Sequence, residues 1–167
     1  MTYTGHLLIE TFKEGLFSRV AHNLRFRLAP CEIRRIGQQF TGQFPLNSIH
    51  LEGALKDGRL APDLLSAKDK SKILHTVHHT ILRSQAHPLV GLKGTVSGTH
   101  FQGQLRICGR LAPLSCHLEE SSTVVSGAVE ITPSHWGIPP FKALFGAIQL
   151  QDRVRVGFEF RPSTTSQ

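Results

Sequence analysis

Four histidines lie close together in the stretch SAKDKSKILHTVHHTILRSQAHP, which runs from Ser66 to Pro88. His75 and His79 are four residues apart, a spacing at which two side chains on one helix face can bind zinc. The zinc-protease pattern H-x-x-E-H also needs a glutamate as general base, but His78 occupies that position. We therefore interpret these side chains as solvated histidines, leave adventitious metal binding open, and predict no catalytic metal site and no cofactor.

An amphipathic helix explains the same stretch without a metal. Between Asp69 and Leu82, the residues Ile73, Val77 and Ile81 recur at helical spacing and form an apolar stripe nearly opposite the histidine pair. Ser66 stands where an N-cap residue belongs, and the proline that follows the stretch ends the helix. The sequence therefore predicts one helix whose apolar stripe faces the core.

The other candidate nucleophiles are three cysteines, Cys31, Cys108 and Cys116, and an odd number cannot all pair within one chain. Cys116 alternates with Leu114 and Leu118, as a buried thiol does. No C-x-x-C pair, G-x-S-x-G turn or glycine-rich phosphate loop occurs in the sequence. We therefore predict reduced thiols in a cytoplasmic protein that is not an enzyme.

The chain is basic, with a formal net charge of +7. Arg25 and Arg27 flank Phe26, but in a β-strand the cations and the ring face opposite sides, so bases could not stack beside the charges. We predict no nucleic-acid partner, and leave open a homodimer and peripheral contact with an anionic membrane. The N-terminus does not resemble a signal peptide, and no apolar run approaches the ~20 residues of a transmembrane helix.

Most of the chain alternates between apolar and polar residues, which indicates half-buried strands. The segments that alternate are 23–28, 38–44, 46–55, 89–96, 101–107, 114–118, 123–131 and 153–161. Turn residues such as Asp57-Gly58 and Gly109 separate them closely, so the strands are antiparallel. We predict a single mainly β domain over residues 1–161 with one α-helix, and a disordered tail over 162–167. About eight antiparallel strands with one apolar face must close into a barrel or fold into a sandwich, and the glycines inside the strands favour a barrel.

The segment PSHWGIPPFKALFG, from Pro133 to Gly146, interrupts this pattern. It contains the only tryptophan of the chain and several large apolar residues, and its two adjacent prolines forbid a strand interior. Two interpretations stay open: the segment plugs one end of the barrel, or it forms the rim of a cavity.

Taken together in their order along the chain, several motifs resemble the YceI-like family over about residues 5–160. These motifs are an early histidine in an apolar context (20–24), G-x-F (42–44), L-x-A-x-D-x-x-x-I (65–73), I-L-x-x-x-x-H-P (81–88), G-x-L-x-I-x-G (103–109) and W-G-I-x-P-F (136–141). The resemblance implies a lipocalin-like barrel that holds a polyisoprenoid chain in an elongated apolar pore. It also explains the helix as the helical insertion of the barrel.

The resemblance therefore implies a non-catalytic protein that binds and transports or stores an isoprenoid or other long-chain apolar lipid. The residues expected to line the pore are Leu24, Phe26, Phe44, Phe101, Leu105, Val156 and Phe158 from strands, and Trp136, Ile138, Phe141 and Phe145 from the irregular segment. His22 or Asn23 is expected to meet the head group. The main alternative is a packed-solid barrel that acts as a protein-interaction or stress-response scaffold, because residues that line a pore and residues that fill it are chemically alike.

Overall fold

A computed structural model describes residues 1–14 and 21–163. These ranges form an antiparallel sheet and one α-helix, which confirms the predicted fold class. The strands are β1 (Thr2–Lys13), β2 (Asn23–Ile36), β3 (Gln39–Pro45), β4 (Ile49–Lys56), β5 (Arg59–Leu60), β6 (Leu89–Ser97), β7 (His100–Ile107), β8 (Arg110–His117), β9 (Glu119–Glu120), β10 (Val125–Ile131), β11 (Lys142–Ala143) and β12 (Ile148–Pro162).

The strands follow the order β8-β7-β6-β3-β2-β1-β12-β10-β9, with β4 beside the first half of β2. The sheet curls into a half-barrel, consistent with the predicted lipocalin-like architecture. Its two edges approach each other where β8 ends, since a Cβ added to Gly127 would lie 2.8 Å from the carbonyl oxygen of His117. Short turns connect the hairpins; Cys108 and Gly109 both have positive φ, as a two-residue turn between twisted strands requires.

The strand register defines two ends of the barrel. At one end, which we call the packed end, lie Ile33, Phe40, Phe101, Val125 and Phe160, all of them buried. The other end we call the mouth. The last backbone pairs of three strand ladders lie there: Lys13↔Leu150, Asn23↔Leu55 and Ile131↔Val154. The same strands therefore run from a filled core to an opening.

The helix α1 (Ala67–Thr76) begins as the sequence predicts. The Ser66 hydroxyl accepts a hydrogen bond of 3.1 Å from the backbone N–H of Asp69, and the Asp69 side chain accepts one from the backbone N–H of Ser66. A π-helical turn over Val77–Ile81 continues the helix to about the predicted end. The Lys70 ammonium donates to the backbone oxygen of Glu52, which ties α1 to β4 beside the mouth.

The first strand, β1, was absent from the strands expected from sequence, although it lies between β2 and β12 near the middle of the sheet. In its sequence TYTGHLLIETFK, the consecutive residues Leu7 and Leu8 point to opposite faces, so neither face of the strand is clearly apolar. Of the predicted tail, Pro162 is the last residue of β12 and the Ser163 N–H donates to Thr2. The remainder of that tail, 164–167, lies outside the described residues.

The arginines predicted to point outward do so. On the outer face of β2, Arg25 and Arg27 both bind Glu52, with N–O distances of 2.8 and 2.6 Å. Burial opposes ionisation of Glu52, but the hydrogen bonds from Arg27 and Arg25 outweigh it and hold the pKa of the carboxyl below its usual value. Neither cation enters the interior of the barrel.

Candidate ligand-binding cavity

An apolar cavity of about 930 Å³ extends along the barrel axis towards the mouth. Strands β1, β2, β6, β7, β8, β10 and β12 all contribute walls, and α1 and the segment after β10 flank the opening. The middle of the wall is a row of aliphatic residues on neighbouring strands: Ile9 pairs with Val156, and Val156 pairs with Val129. All three side chains face the cavity and are only half-buried.

The floor of the cavity is aromatic. The rings of Phe44 and Phe160 lie with their centroids 6.3 Å apart, in van der Waals range of a tilted pair. Phe101 lies across the glycine pair Gly94 and Gly103, where added Cβ atoms would come within 2.6 and 2.8 Å of its ring. The glycines therefore let a large ring lie flat on the wall, and the bulk that closes this end is missing nearer the mouth.

The helix forms one side of the mouth. Its predicted apolar stripe, Ile73, Val77 and Ile81, faces the cavity, together with Leu65 and Leu82. The sequence predicted this stripe as core-facing but did not assign it to the pore, because a helix that packs on a core and a helix that covers a cavity have the same periodicity.

The irregular segment forms the other side. Trp136 anchors it: the side chain is buried and its indole N–H donates a hydrogen bond of 2.7 Å to the Leu105 carbonyl. The Asp152 carboxylate accepts hydrogen bonds from the backbone N–H and hydroxyl of Ser134. The residues that follow, from Ile138 to Phe141, then line the cavity. Of the two interpretations, the rim of a cavity is the one observed. The buried Trp136 is the part of the segment that packs in the way expected of a plug.

Polar groups are sparse on the cavity wall. The Thr11 hydroxyl is buried and has no hydrogen-bond partner among the described residues, although Thr11 lines the cavity one pair below the mouth. His22 also lines the cavity. Asn23 does not, because its side-chain oxygen accepts a hydrogen bond of 2.8 Å from the backbone N–H of Lys13. Thr11 was not predicted as a site residue, because the alternation that would reveal its strand is obscured by adjacent apolar residues.

Most of the residues that were expected to line a pore do line this cavity. They are Leu24, Phe26, Phe44, Phe101, Leu105, Ile138, Phe141, Val156 and Phe158. Trp136 is buried behind the wall, and Phe145 points into solvent at a relative exposure of 113%. The sequence reasoning missed the contributions of β1 and α1, and a cavity of this size contradicts the alternative of a barrel packed solid along its axis.

The histidine pair of the helix and the three cysteines are the candidate reactive side chains of the sequence. His75 and His79 are exposed, with ring centroids 4.0 Å apart. Within the described ranges no three His, Cys, Asp or Glu side chains are grouped so as to hold a metal ion. Burial raises the pKa of Cys31 to about 11 and also raises the pKa of Cys108 and Cys116, so the thiols are protonated at neutral pH.

Comparison with solved structures gives two matches over nearly the whole chain. BcnA from Burkholderia cenocepacia matches with a TM-score of 0.58 and 11% identity, covering 96% of each chain. A polyisoprenoid binding domain from Saccharophagus degradans, implicated in plant cell wall breakdown, matches with a TM-score of 0.60 and 10% identity, covering 96% of this chain and 98% of that one. Both are YceI-like proteins.

The chain has the YceI-like fold. The resemblance inferred from the ordered motifs is therefore confirmed for the fold, at a level of sequence identity that carries no residue roles. No family model matches the chain, and no curated protein matches its sequence. None of the helices in the described ranges has the length and apolar content that a bilayer crossing requires.

Proposed function

We propose that the protein binds an isoprenoid-type lipid in this cavity and transports or stores it without catalysing a reaction. The observation that carries the proposal is the cavity itself, whose walls are almost wholly apolar over about 930 Å³. The structural relative from Saccharophagus degradans is described as a polyisoprenoid binding domain and supports the same ligand class. The three cysteines, whose thiols are protonated at neutral pH, are poor nucleophiles toward such a ligand.

The size of the cavity sets the expected length of the ligand. At about 30 Å³ for each water-sized group, the cavity has room for about 30 non-hydrogen atoms, or about six five-carbon isoprene units. Each unit would contribute up to about 4 kcal/mol through burial, before the entropic cost of ordering the chain. Burial of a few units thus suffices for tight binding without any hydrogen bond.

The position of the few polar groups suggests which end of the ligand enters last. Thr11 and His22 lie near the mouth, whereas the floor is formed by phenylalanine rings. An isoprenoid with an oxygen at one end would therefore enter tail first and leave the oxygen beside the unpartnered Thr11 hydroxyl. Asn23 was expected to meet the head group but its amide oxygen is already engaged, so we assign that role to Thr11 and His22.

The test is a chain-length series. Isoprenoid alcohols of three, four, six and nine units displace the apolar dye N-phenyl-1-naphthylamine from the purified protein, and lipid extracts of the protein are examined by mass spectrometry. We expect affinity to rise steeply up to about six units and then to level off, because further units remain in solvent. Absence of both dye uptake and co-purifying lipid would overturn the proposal. Cytoplasmic location and a homodimer stay predictions.

A further inference from the structure

The turn between β11 and β12 carries an apolar tip at the mouth of the cavity. Leu144 and Phe145 are exposed to 61% and 113% of their reference values, and Phe145 does not line the cavity. The neighbouring residues Ala143, Leu144, Ile148 and Leu150 line the cavity. The tip is thus continuous with the interior surface and projects outward from its rim.

The backbone presents this tip in a costly conformation. Leu144, Phe145 and Gly146 have successive φ angles of 49°, 55° and 87°, the left-handed region that residues other than glycine avoid. Phe145 gains no burial in return. Backbone strain of this kind clusters at ligand clamps and other functional segments, which makes the tip a candidate for contact with a partner.

The base of the turn is held firmly in the sheet. Lys142 and Ala143 pair with Gln149 and Ile148, and the N–H of Ala147 donates to the Leu144 carbonyl. A further hydrogen bond joins the N–H of Glu14 to the carbonyl of Gln149. The tip therefore projects from a hydrogen-bonded base.

Other exposed apolar side chains lie at the same end of the barrel. Of the eight large hydrophobic residues that are exposed in the described ranges, only Met1 and Ile36 lie at the packed end. The others belong to the mouth half of their strands or to its rim: Leu60, Leu64, Leu89, Leu111, Leu144 and Phe145. Exposed apolar residues that surround an opening can all contact one flat apolar surface, such as that of a membrane, at the same time.

We propose that the Leu144–Phe145 tip inserts into a phospholipid bilayer and sets the mouth of the cavity on the membrane surface. This inference rests on the proposed function. A cavity mouth set on the membrane would let an isoprenoid pass from the bilayer into the cavity without crossing water. The exposed Lys142 lies two residues before Leu144, where its cation would meet anionic head groups. A second protein is a poorer fit to the tip, because one Phe buries about 150–250 Å² and a stable interface needs about 800 Å² per partner.

The experiment compares Phe145→Ser with Ile36→Ser, which removes a side chain exposed to 71% at the packed end. Sedimentation with vesicles of phosphatidylcholine and phosphatidylglycerol measures membrane binding. We expect Phe145→Ser to weaken it by at least about tenfold and Ile36→Ser to leave it unchanged. Dye displacement by the six-unit alcohol in vesicle-free buffer should be the same for both variants, since neither residue lines the cavity.

A second variant, Phe145→Trp, reports insertion directly. The native Trp136 is buried, so a blue shift of the emission on adding vesicles, and quenching by brominated lipid, would come from the new side chain. Such a shift supports the inference. No shift, equal vesicle binding by Phe145→Ser and wild type, or a Phe145-dependent dimer in place of vesicle binding would overturn it. These membrane readouts are separate from the dye assay, so a protein that docks but takes up no isoprenoid would refute the proposed function alone.

Discussion

The packed end and the mouth half of the barrel are made by the same strands with the same alternating pattern, but their inward side chains meet differently. At the packed end, rings such as Phe101 and Phe160 are buried, and Phe101 lies over Gly94 and Gly103, where added Cβ atoms would clash with its ring. In the mouth half, Ile9, Val129 and Val156 form a continuous aliphatic stretch of one wall, and their side chains face the cavity and are only half-buried. Alternation decides which side of a strand is apolar, whereas side-chain bulk decides whether the interior is filled.

The strongest test of this difference is to place an aromatic ring in the middle of the mouth half. Val129→Trp adds an indole to the central row of the wall, between the floor and the mouth. We expect affinity for the six-unit isoprenoid alcohol, measured by dye displacement, to fall at least about 100-fold, since even one isoprene unit kept out of the cavity forfeits up to about 4 kcal/mol.

The matched control is the adjacent residue on the same strand. Ala128 is exposed and faces the other way, so Ala128→Trp adds the same indole outside the barrel. Its affinity should equal that of wild type, and thermal unfolding of both variants reports whether the fold is kept. If a well-folded Val129→Trp variant binds the alcohol normally, the ligand does not occupy the centre of the barrel.

The comparison also predicts that a valine-to-alanine substitution lowers the free energy of unfolding by different amounts in the two halves. Val96 is buried at 4% exposure beside Phe101, whereas Val156 faces the cavity. Val96→Ala should lower the free energy of unfolding by about 2 kcal/mol, because it leaves a void among packed neighbours. Val156→Ala should lower it by about 1 kcal/mol or less, because its side chain is half-buried and already faces the cavity.

Urea denaturation of the two alanine variants measures this difference. Both should unfold with the same dependence on denaturant as the wild type, since neither changes the surface exposed on unfolding by much. Equal losses of stability at the two positions would mean that the two halves of the barrel are packed alike and that the cavity does not persist in solution.

The sequence was sufficient for the features that depend on periodicity and capping. The shared face of Phe40 and Phe44 and the apolar stripe of α1 follow directly from spacing, and the Ser66 cap follows from residue type. The strand β1 was missed because adjacent apolar residues obscure its alternation. These outcomes concern single elements, whose local pattern carries most of the information.

The cavity could be predicted only in part, for a different reason. Composition cannot tell whether an apolar residue in an irregular segment packs, lines or projects: Trp136 packs behind the wall, Phe141 lines it, and Phe145 points into solvent. Those outcomes depend on where Trp136 finds the Leu105 carbonyl and how the turn at residues 144–146 is shaped. Such long-range contacts leave no trace in local spacing.

The smallest expected effect concerns the Thr11 hydroxyl in the mouth half. Thr11→Val replaces the buried hydroxyl, which has no partner within residues 1–14 and 21–163, with a methyl group of similar shape, so the ligand-free protein should gain about 1 kcal/mol of unfolding free energy. Affinity for an isoprenoid alcohol should fall severalfold because its hydroxyl loses a partner, while affinity for squalene, which has no oxygen, should be unchanged or slightly higher. Thr11→Ser keeps the hydroxyl and should retain the preference for the alcohol. If Thr11→Val discriminates between alcohol and hydrocarbon as the wild type does, the oxygen of the ligand lies elsewhere along the mouth, and His22 becomes the side chain to replace next.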